Sequence, residues 1–382
     1  MNRYLLVLVL LSALPAPLCA MESEPSLRAM LGQMMLIGFR GTELSDDAPI
    51  LRDIREHNLG GVILFNRDVQ LGTTGRNIES PGQVRALTAR LQSAAATPLL
   101  VAVDQEGGRV RRLREETGFP FSPSARTMGA GTPDATRIQG KRTGELLAGL
   151  GINLNFAPVA DVDVNPESPA IGALDRSFSP DPEVVAAHAR AFSEGLRTAG
   201  VIPCLKHFPG HGSASADSHL GLTDISETWS PTELIPYERL IPGASMVMTG
   251  HLFLRRFDAE YPCTLSPAVV TGLLRDRLGF QGVVVSDDMQ MRAITAHYGL
   301  EEALVRAVLA GVDILIFGNN LDYDPDIVPR AIDILARGVE DGRLTRARIA
   351  ASFGRIAAAK GMLAAPAGHP PFGKPLPELP EK

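Results

Sequence analysis

Cysteine is scarce in this chain, with three among 382 residues at Cys19, Cys204 and Cys263. That is too few for a disulfide-stapled scaffold, and no Cys-x-x-Cys spacing marks a zinc site. A surplus of positive charge is also missing: the net charge is −6 and no basic cluster stands out, which argues against a nucleic-acid partner. The phosphate-cradling pattern G-x-x-x-x-G-K-[ST] does not occur. Beyond the N-terminal segment, no apolar run approaches the roughly 20 residues that a spanning helix needs.

The N-terminal segment reads as an export leader over residues 1–20. Arg3 supplies its positive end, Leu5 to Leu14 its apolar core, and Leu18-Cys19-Ala20 a cleavage site before Met21. Pro17 and Leu18 are not the small residues that precede a lipidated cysteine, so no lipid anchor through Cys19 is expected. An exported, periplasmic protein follows. Cys204 and Cys263 then either pair in an oxidising compartment or remain a buried strand thiol and a loop thiol.

At 45% hydrophobic and 21% charged residues, the chain can build one large core or two modest ones. Short apolar runs alternate with amphipathic stretches. The runs are Met34 to Phe39, Gly61 to Phe65, Leu99 to Val103, Ile152 to Val159, Val201 to Leu205, Ser245 to Met248, Val283 to Val285 and Val312 to Phe317. Helical patterns separate them, as at Pro133 to Leu150, Pro182 to Ala199, Pro267 to Leu278 and Leu300 to Leu309. Strands buried on both faces and spaced by helices predict a parallel sheet. Their number predicts a closed (β/α)8 TIM barrel, an α/β fold with a single catalytic domain over 21–363. Two further helical segments, Pro325 to Val339 and Leu344 to Ala359, close it, and a proline-rich tail occupies 364–382.

Polar residues gather just after the strand candidates: Asn66-Arg67, Asp104-Gln105-Glu106, Asp161, Lys206-His207, His251, Asp287-Asp288 and Asn319-Asn320. A barrel brings such ends to one rim. The densest stretch runs from Lys206-His207-Phe208-Pro209-Gly210-His211-Gly212 to Asp217-Ser218-His219. In an extended loop Asp217 and His219 point the same way, so the carboxylate can orient and tune the imidazole as a proton donor. His207 and His211 have a spacing that also suits metal ligation, but Pro209 and Gly210 break the helix that would align them. Asp287 and Asp288 can bind a metal, accept sugar hydroxyls or include a nucleophile, and successive strand side chains split those roles. Gly107-Gly108 lets the backbone come close to a ligand, with Asp104 and nearby arginines as hydroxyl partners.

Together these pieces resemble family 3 glycoside hydrolases, in the single-domain β-N-acetylglucosaminidase branch. The resemblance rests on Gly60-Gly61-Val62-Ile63-Leu64-Phe65, Asp104-Gln105-Glu106-Gly107-Gly108-Arg109-Val110, Asn155-Phe156-Ala157-Pro158-Val159, the Lys206 to His219 block and Ser286-Asp287-Asp288-Met289. It implies Asp287 as nucleophile, His219 as acid/base and Asp217 as its orienting partner. It also implies sugar contacts from Asp104, Arg112, Arg176, Lys206 and His207, although the segment before Arg176 is longer than usual for the family.

The expected activity is retaining exo-hydrolysis of terminal β-linked N-acetylglucosamine from peptidoglycan fragments, such as muropeptides, or from chito-oligosaccharides. The mechanism needs neither cofactor nor metal. The same family admits β-glucosidases and N-acetylglucosaminide phosphorylases. An exported sugar-binding protein, a different class, would show two lobes and no turnover. A metal-dependent hydrolase would be inhibited by a chelator.

Overall fold

Each of the apolar runs becomes a strand of one closed parallel ring. The computed structural model describes residues 25–216, 221 and 223–364. Its barrel strands are β1 (Met35–Gly38), β2 (Gly61–Ile63), β3 (Leu100–Val103), β4 (Leu154–Asn155), β5 (Ile202–Phe208), β6 (Met246–Thr249), β7 (Val283–Asp288) and β8 (Ile314–Phe317). Around the ring they follow their sequence order, and β1 closes it by pairing in parallel with β8 (Met35 opposite Leu315) and β2 (Leu36 opposite Gly61). This is the expected (β/α)8 barrel. Val101, Val103, Val247 and Val284 are fully buried, as strands covered by helices outside and side chains inside must be.

Helices fill the connections, including α1 (Leu27–Gln33), α2 (Pro49–His57), α3 (Pro81–Ala94), α4 (Pro133–Gly149), α5 (Pro182–Thr198), α6 (Ile235–Leu240), α7 (Leu300–Ala310), α8 (Ile327–Glu340) and α9 (Arg346–Ala364). Three of them start alike. Ser80, Thr132 and Asp181 accept the backbone N–H of Gln83, Ala135 and Glu183, and each is followed by a proline whose fixed φ suits the first helical position. The segment Ala268–Arg277, expected as an α-helix, is wound as a wider π-helix. Among the described residues no helix is long and apolar enough to cross a membrane.

Two strands differ from expectation. β4 spans only Leu154–Asn155; the Phe156 N–H still reaches the Val103 carbonyl, and Pro158, with no N–H, interrupts the ladder beyond it. β5 runs on to Phe208, so Lys206 and His207 lie on a strand end rather than in the loop after it. The leader at 1–20 and the tail beyond Ala364 lie outside the described residues.

The face opposite the strand C-termini is held by a buried charge cluster. Asp313, just before β8, accepts Arg275 Nη2 at 2.6 Å, Arg355 Nη2 at 2.8 Å, Ser352 Oγ at 2.6 Å and the Val284 N–H at 3.0 Å. Arg348 Nη2 stands 3.5 Å away and also donates to the Val312 carbonyl at 2.8 Å. Burial would push the Asp313 carboxyl up, but these arginines outweigh it and hold it low. Beside β1, the buried Lys360 Nζ lies 2.6 Å from Gln33 Oε1, pinning the last helix to the first. The two thiols Cys204 and Cys263 are buried and free.

Candidate active site

Strict alternation along a strand would send consecutive side chains to opposite faces. At two places the barrel breaks that rule. Along β7, Val285 stands opposite Ile314 and Asp288 opposite Ile316, so three steps on one strand match two on its neighbour. Along β5, Leu205 faces Val247 and Phe208 faces Thr249, the same offset. Each extra residue is a bulge, which re-aims side chains. As a result both members of two adjacent pairs, Lys206-His207 and Asp287-Asp288, line one cavity of about 210 Å³ at the C-terminal rim.

Two acids from the loop after β3 meet three cations there. Lys206 Nζ lies 2.7 Å from Asp104 Oδ1 and 2.7 Å from Glu106 Oε1. Arg112 Nη2 reaches Asp104 Oδ2 at 3.0 Å. Arg176 forks onto Glu106, with Nε to Oε2 at 2.8 Å and Nη2 to Oε1 at 2.8 Å. Burial alone would raise the Asp104 carboxyl, but Lys206 and Arg112 hold it well below the usual carboxylate range. Glu106 is lowered in the same way by Arg176 and Lys206. Burial disfavours the Lys206 ammonium, yet Asp104 and Glu106 more than restore it, so it stays charged. The floor of the cavity is thus a fixed lattice of ionised groups, suited to hydroxyls that both donate and accept.

His207 is set from behind. Asp161, fully buried, takes the His207 N–H at 3.0 Å and faces its Nδ1 at 2.8 Å through the other oxygen. That contact places the ring hydrogen on Nδ1 and leaves Nε2 as an acceptor, 3.3 Å from Arg176 Nη2. Burial would raise the Asp161 carboxyl, but His207 lowers it further. His211 meets His207 edge-on, with ring centroids 5.5 Å apart, and burial pushes it down to about 4.

Although the bulge turns both toward the cavity, the adjacent acids differ in their bonds. Asp288 Oδ1 accepts the Gly318 and Gln290 N–H groups at 3.0 Å each, and its carbonyl oxygen lies 3.0 Å from His251 Nε2. Asp288 therefore ties the ends of β7 and β8 together. Asp287 Oδ1 accepts the Asp288 N–H at 2.8 Å, and the side chain forms part of the cavity wall.

Asp104, Arg112, Arg176, Lys206, His207 and Asp287 are brought together, whereas Asp217 and His219 lie outside the described residues. Gly107 serves a purpose other than the expected one. Its φ is +101°, and a Cβ there would lie 2.0 Å from the Pro123 carbonyl oxygen, so the glycine lets the loop fold on itself rather than approach a ligand. Glu106 and Asp161 sit among the strand-end polar residues but were assigned no role by the sequence reading. Their partners Arg176 and His207 are 70 and 46 positions away, so no local spacing reveals them. Asn320 Oδ1 and Nδ2 bond the Val69 N–H and the Arg67 carbonyl, holding the loop after β2 instead of lining the small cavity.

That loop and the one after β3 flank a second cleft of about 690 Å³, lined by Arg67, Glu79, Arg114 and Glu116 among others. It shares Phe65, Arg112 and Asp288 with the smaller cavity, so the two adjoin. Among the described residues, no group of three His, Cys, Asp or Glu side chains is arranged to hold a metal ion.

The profile of the "Glycosyl hydrolase family 3 N terminal domain" matches residues 26–359. The chain is 36% identical over 364 residues to the beta-hexosaminidase LpqI of Mycobacterium tuberculosis, covering 91% of this chain and 88% of that one. It is 38% identical over 299 residues to a beta-hexosaminidase of Tolumonas auensis, covering 76% and 84%. Among solved structures it superposes on a family 3 β-N-acetylglucosaminidase from Paenibacillus sp. with a TM-score of 0.81 at 37% identity, covering 90% of this chain and 64% of that longer one. A β-N-acetylhexosaminidase from Beutenbergia cavernae superposes with a TM-score of 0.79 at 31% identity, covering 88% and 99%.

Proposed function

The chain belongs to glycoside hydrolase family 3, and from that premise we propose that it is a retaining exo-β-N-acetylglucosaminidase. The observation that carries the reading is one rim cavity lined by Asp287 together with the ion lattice of Asp104, Arg112, Glu106, Arg176 and Lys206. Its relatives' names, beta-hexosaminidase and β-N-acetylglucosaminidase, point the same way.

Asp287 attacks the anomeric carbon of a terminal N-acetylglucosamine while protonated His219, held by Asp217, donates to the departing oxygen. A covalent glycosyl–enzyme forms. Neutral His219 then takes a proton from water as the water's oxygen displaces Asp287, and the β configuration is retained. Lys206, Asp104, Arg112, Arg176 and His207 hold the ring hydroxyls. The adjoining cleft after β2 and β3 gives room for the remainder of an oligosaccharide or muropeptide. With the leader at 1–20, the site of action is the periplasm and the substrates are fragments of wall or chitin.

Hydrolysis of p-nitrophenyl N-acetyl-β-glucosaminide well above that of p-nitrophenyl β-glucoside is the expected result. Preference for the glucoside would make the chain a β-glucosidase instead. A panel of muropeptides against chitobiose assigns the natural substrate class.

A further inference from the structure

The strand that carries Lys206 and His207 leads into a stem, Pro209 to Ala214, before the segment bearing Asp217 and His219. This stem is clamped from both sides. On one side, Asp161 Oδ1 takes the His211 N–H at 3.0 Å and Asn165 Nδ2 donates to the Ala214 carbonyl at 3.2 Å. On the other side the clamp comes from residues 229–233. Trp229 Nε1 donates to the Pro209 carbonyl at 3.2 Å, and Glu233 Oε2 accepts the Gly212 and Ser213 N–H groups at 3.0 and 3.3 Å.

Glu233 is fully buried, yet it does not touch the sugar cavity. Its other oxygen completes a capping box by accepting the Ser230 N–H at 3.4 Å. A capping box needs one acceptor oxygen. The second oxygen is spent on the stem, 20 and 21 positions away. The packing there is tight: a Cβ at Gly210, whose φ is +120°, would lie 2.7 Å from Glu233 Cβ. One helical turn on, the buried Tyr237 ring stands edge-on to Phe208 with centroids 5.1 Å apart, bracing the end of β5 below the same stem.

We propose that Glu233 is a positioning residue for the reaction, fixing the point and direction from which the His219-bearing segment leaves the barrel. The inference rests on the reading of His219 as the proton donor. In kcat/KM, which reads only the steps up to the glycosyl–enzyme, a displacement of about 1 Å at such a group costs on the order of 10²-fold, and only where protonation of the leaving group matters. The nucleophilic half-reaction, carried by Asp287 on another strand, is left alone.

Glu233→Gln keeps size and one acceptor oxygen, but it turns an amide NH₂ toward either the stem or the Ser230 N–H. The expected result in a folded variant is a fall of about 10²-fold in kcat/KM for chitobiose. The 2,4-dinitrophenyl glycoside, whose leaving group needs no proton, should change by less than about 3-fold. Equal losses on both substrates, or none, overturn the proposal. Trp229→Phe removes the Pro209 bond from the same clamp and keeps an aromatic ring, so it supplies the comparison if Glu233→Gln does not fold. His219→Ala serves as reference. If it too loses activity equally on both substrates, the proton-donor reading fails and this inference falls with it. If it alone is selective, only Glu233's role is overturned.

Discussion

Arg176 holds Glu106 through two parallel bonds of 2.8 Å, joining the loop after β4 to the loop after β3 across 70 residues of sequence. The pair is buried, with side-chain exposures of 11% and 5%, and Lys206 Nζ shares the same carboxylate at 2.7 Å. Removing the negative partner leaves the largely buried Arg176 without its carboxylate and Lys206 with Asp104 alone. Glu106→Gln should therefore destabilise the fold by about 3–5 kcal/mol, read from denaturant unfolding, and raise KM as Arg176 and Lys206 move apart. Unchanged stability would mean that the fork is ornamental.

Asp287→Asn should lower kcat by at least about 10³-fold with every leaving group, because no covalent intermediate can form. Asp288→Ala tests the division of labour within the pair. The Asp288 carboxylate accepts two backbone N–H groups, so its loss should appear mainly in the melting temperature. Steady-state kinetics and thermal melts on both variants separate the roles, and a reversed pattern would exchange them.

Asp161→Asn should leave the barrel folded but free the His207 ring to take either tautomer. A fall of about 10- to 10²-fold in kcat/KM, with no new dependence on leaving-group acidity, is the expected outcome. A leaving-group dependence like that of His219→Ala would instead mean that Asp161 acts through the stem, which it also holds at the His211 N–H.

The amine of Lys360 gives stability a pH dependence of known sign. Burial pushes it down from its ordinary value to about 7, and Gln33 is its bonded partner. Between about 7 and 10.5 the unfolded chain binds a proton that the folded chain does not. Stability from this group is therefore full above about 10.5, is lost as pH falls toward 7, and changes little below that. Relative to Lys360→Met, the wild type should gain stability by about 1.4 kcal/mol per pH unit in the steepest part of that interval, read from urea midpoints. Parallel profiles would place the amine in water.

Burial raises both Cys204 and Cys263 thiols well above the ordinary cysteine value, so neither is a thiolate at neutral pH. A thiol reagent should leave both unmodified in the native protein and titrate them only after denaturation. Rapid native labelling of Cys204 would mean that β5 opens locally.

The ring itself was legible because buried parallel strands leave short, uninterrupted apolar runs, and each predicted run overlaps a strand. What local sequence did not carry was where each strand ends. Lys206 and His207 read as loop because a bulge has no compositional mark, yet the register offset keeps them on β5. The five cavity residues implied by resemblance around Asp287 all face it, while Glu106 and Asp161 went unassigned for want of any local cue to partners dozens of positions away. Glycines were misread for a related reason. Gly107 shows that the chain needs room, not what fills it, and the neighbour is the protein's own Pro123.

The Asp313 cluster also bears on how the molecule is made. Two of its three guanidiniums, Arg348 and Arg355, belong to α9, the last described element, and so does the Lys360 that reaches Gln33. During synthesis the earlier βα units can emerge and pack in sequence, but the Asp313 carboxylate lacks two of its guanidiniums until α9 arrives. A polypeptide halted before Arg346 would leave that buried carboxylate facing Arg275 alone, a charge short of partners beneath the strand that pairs with β1.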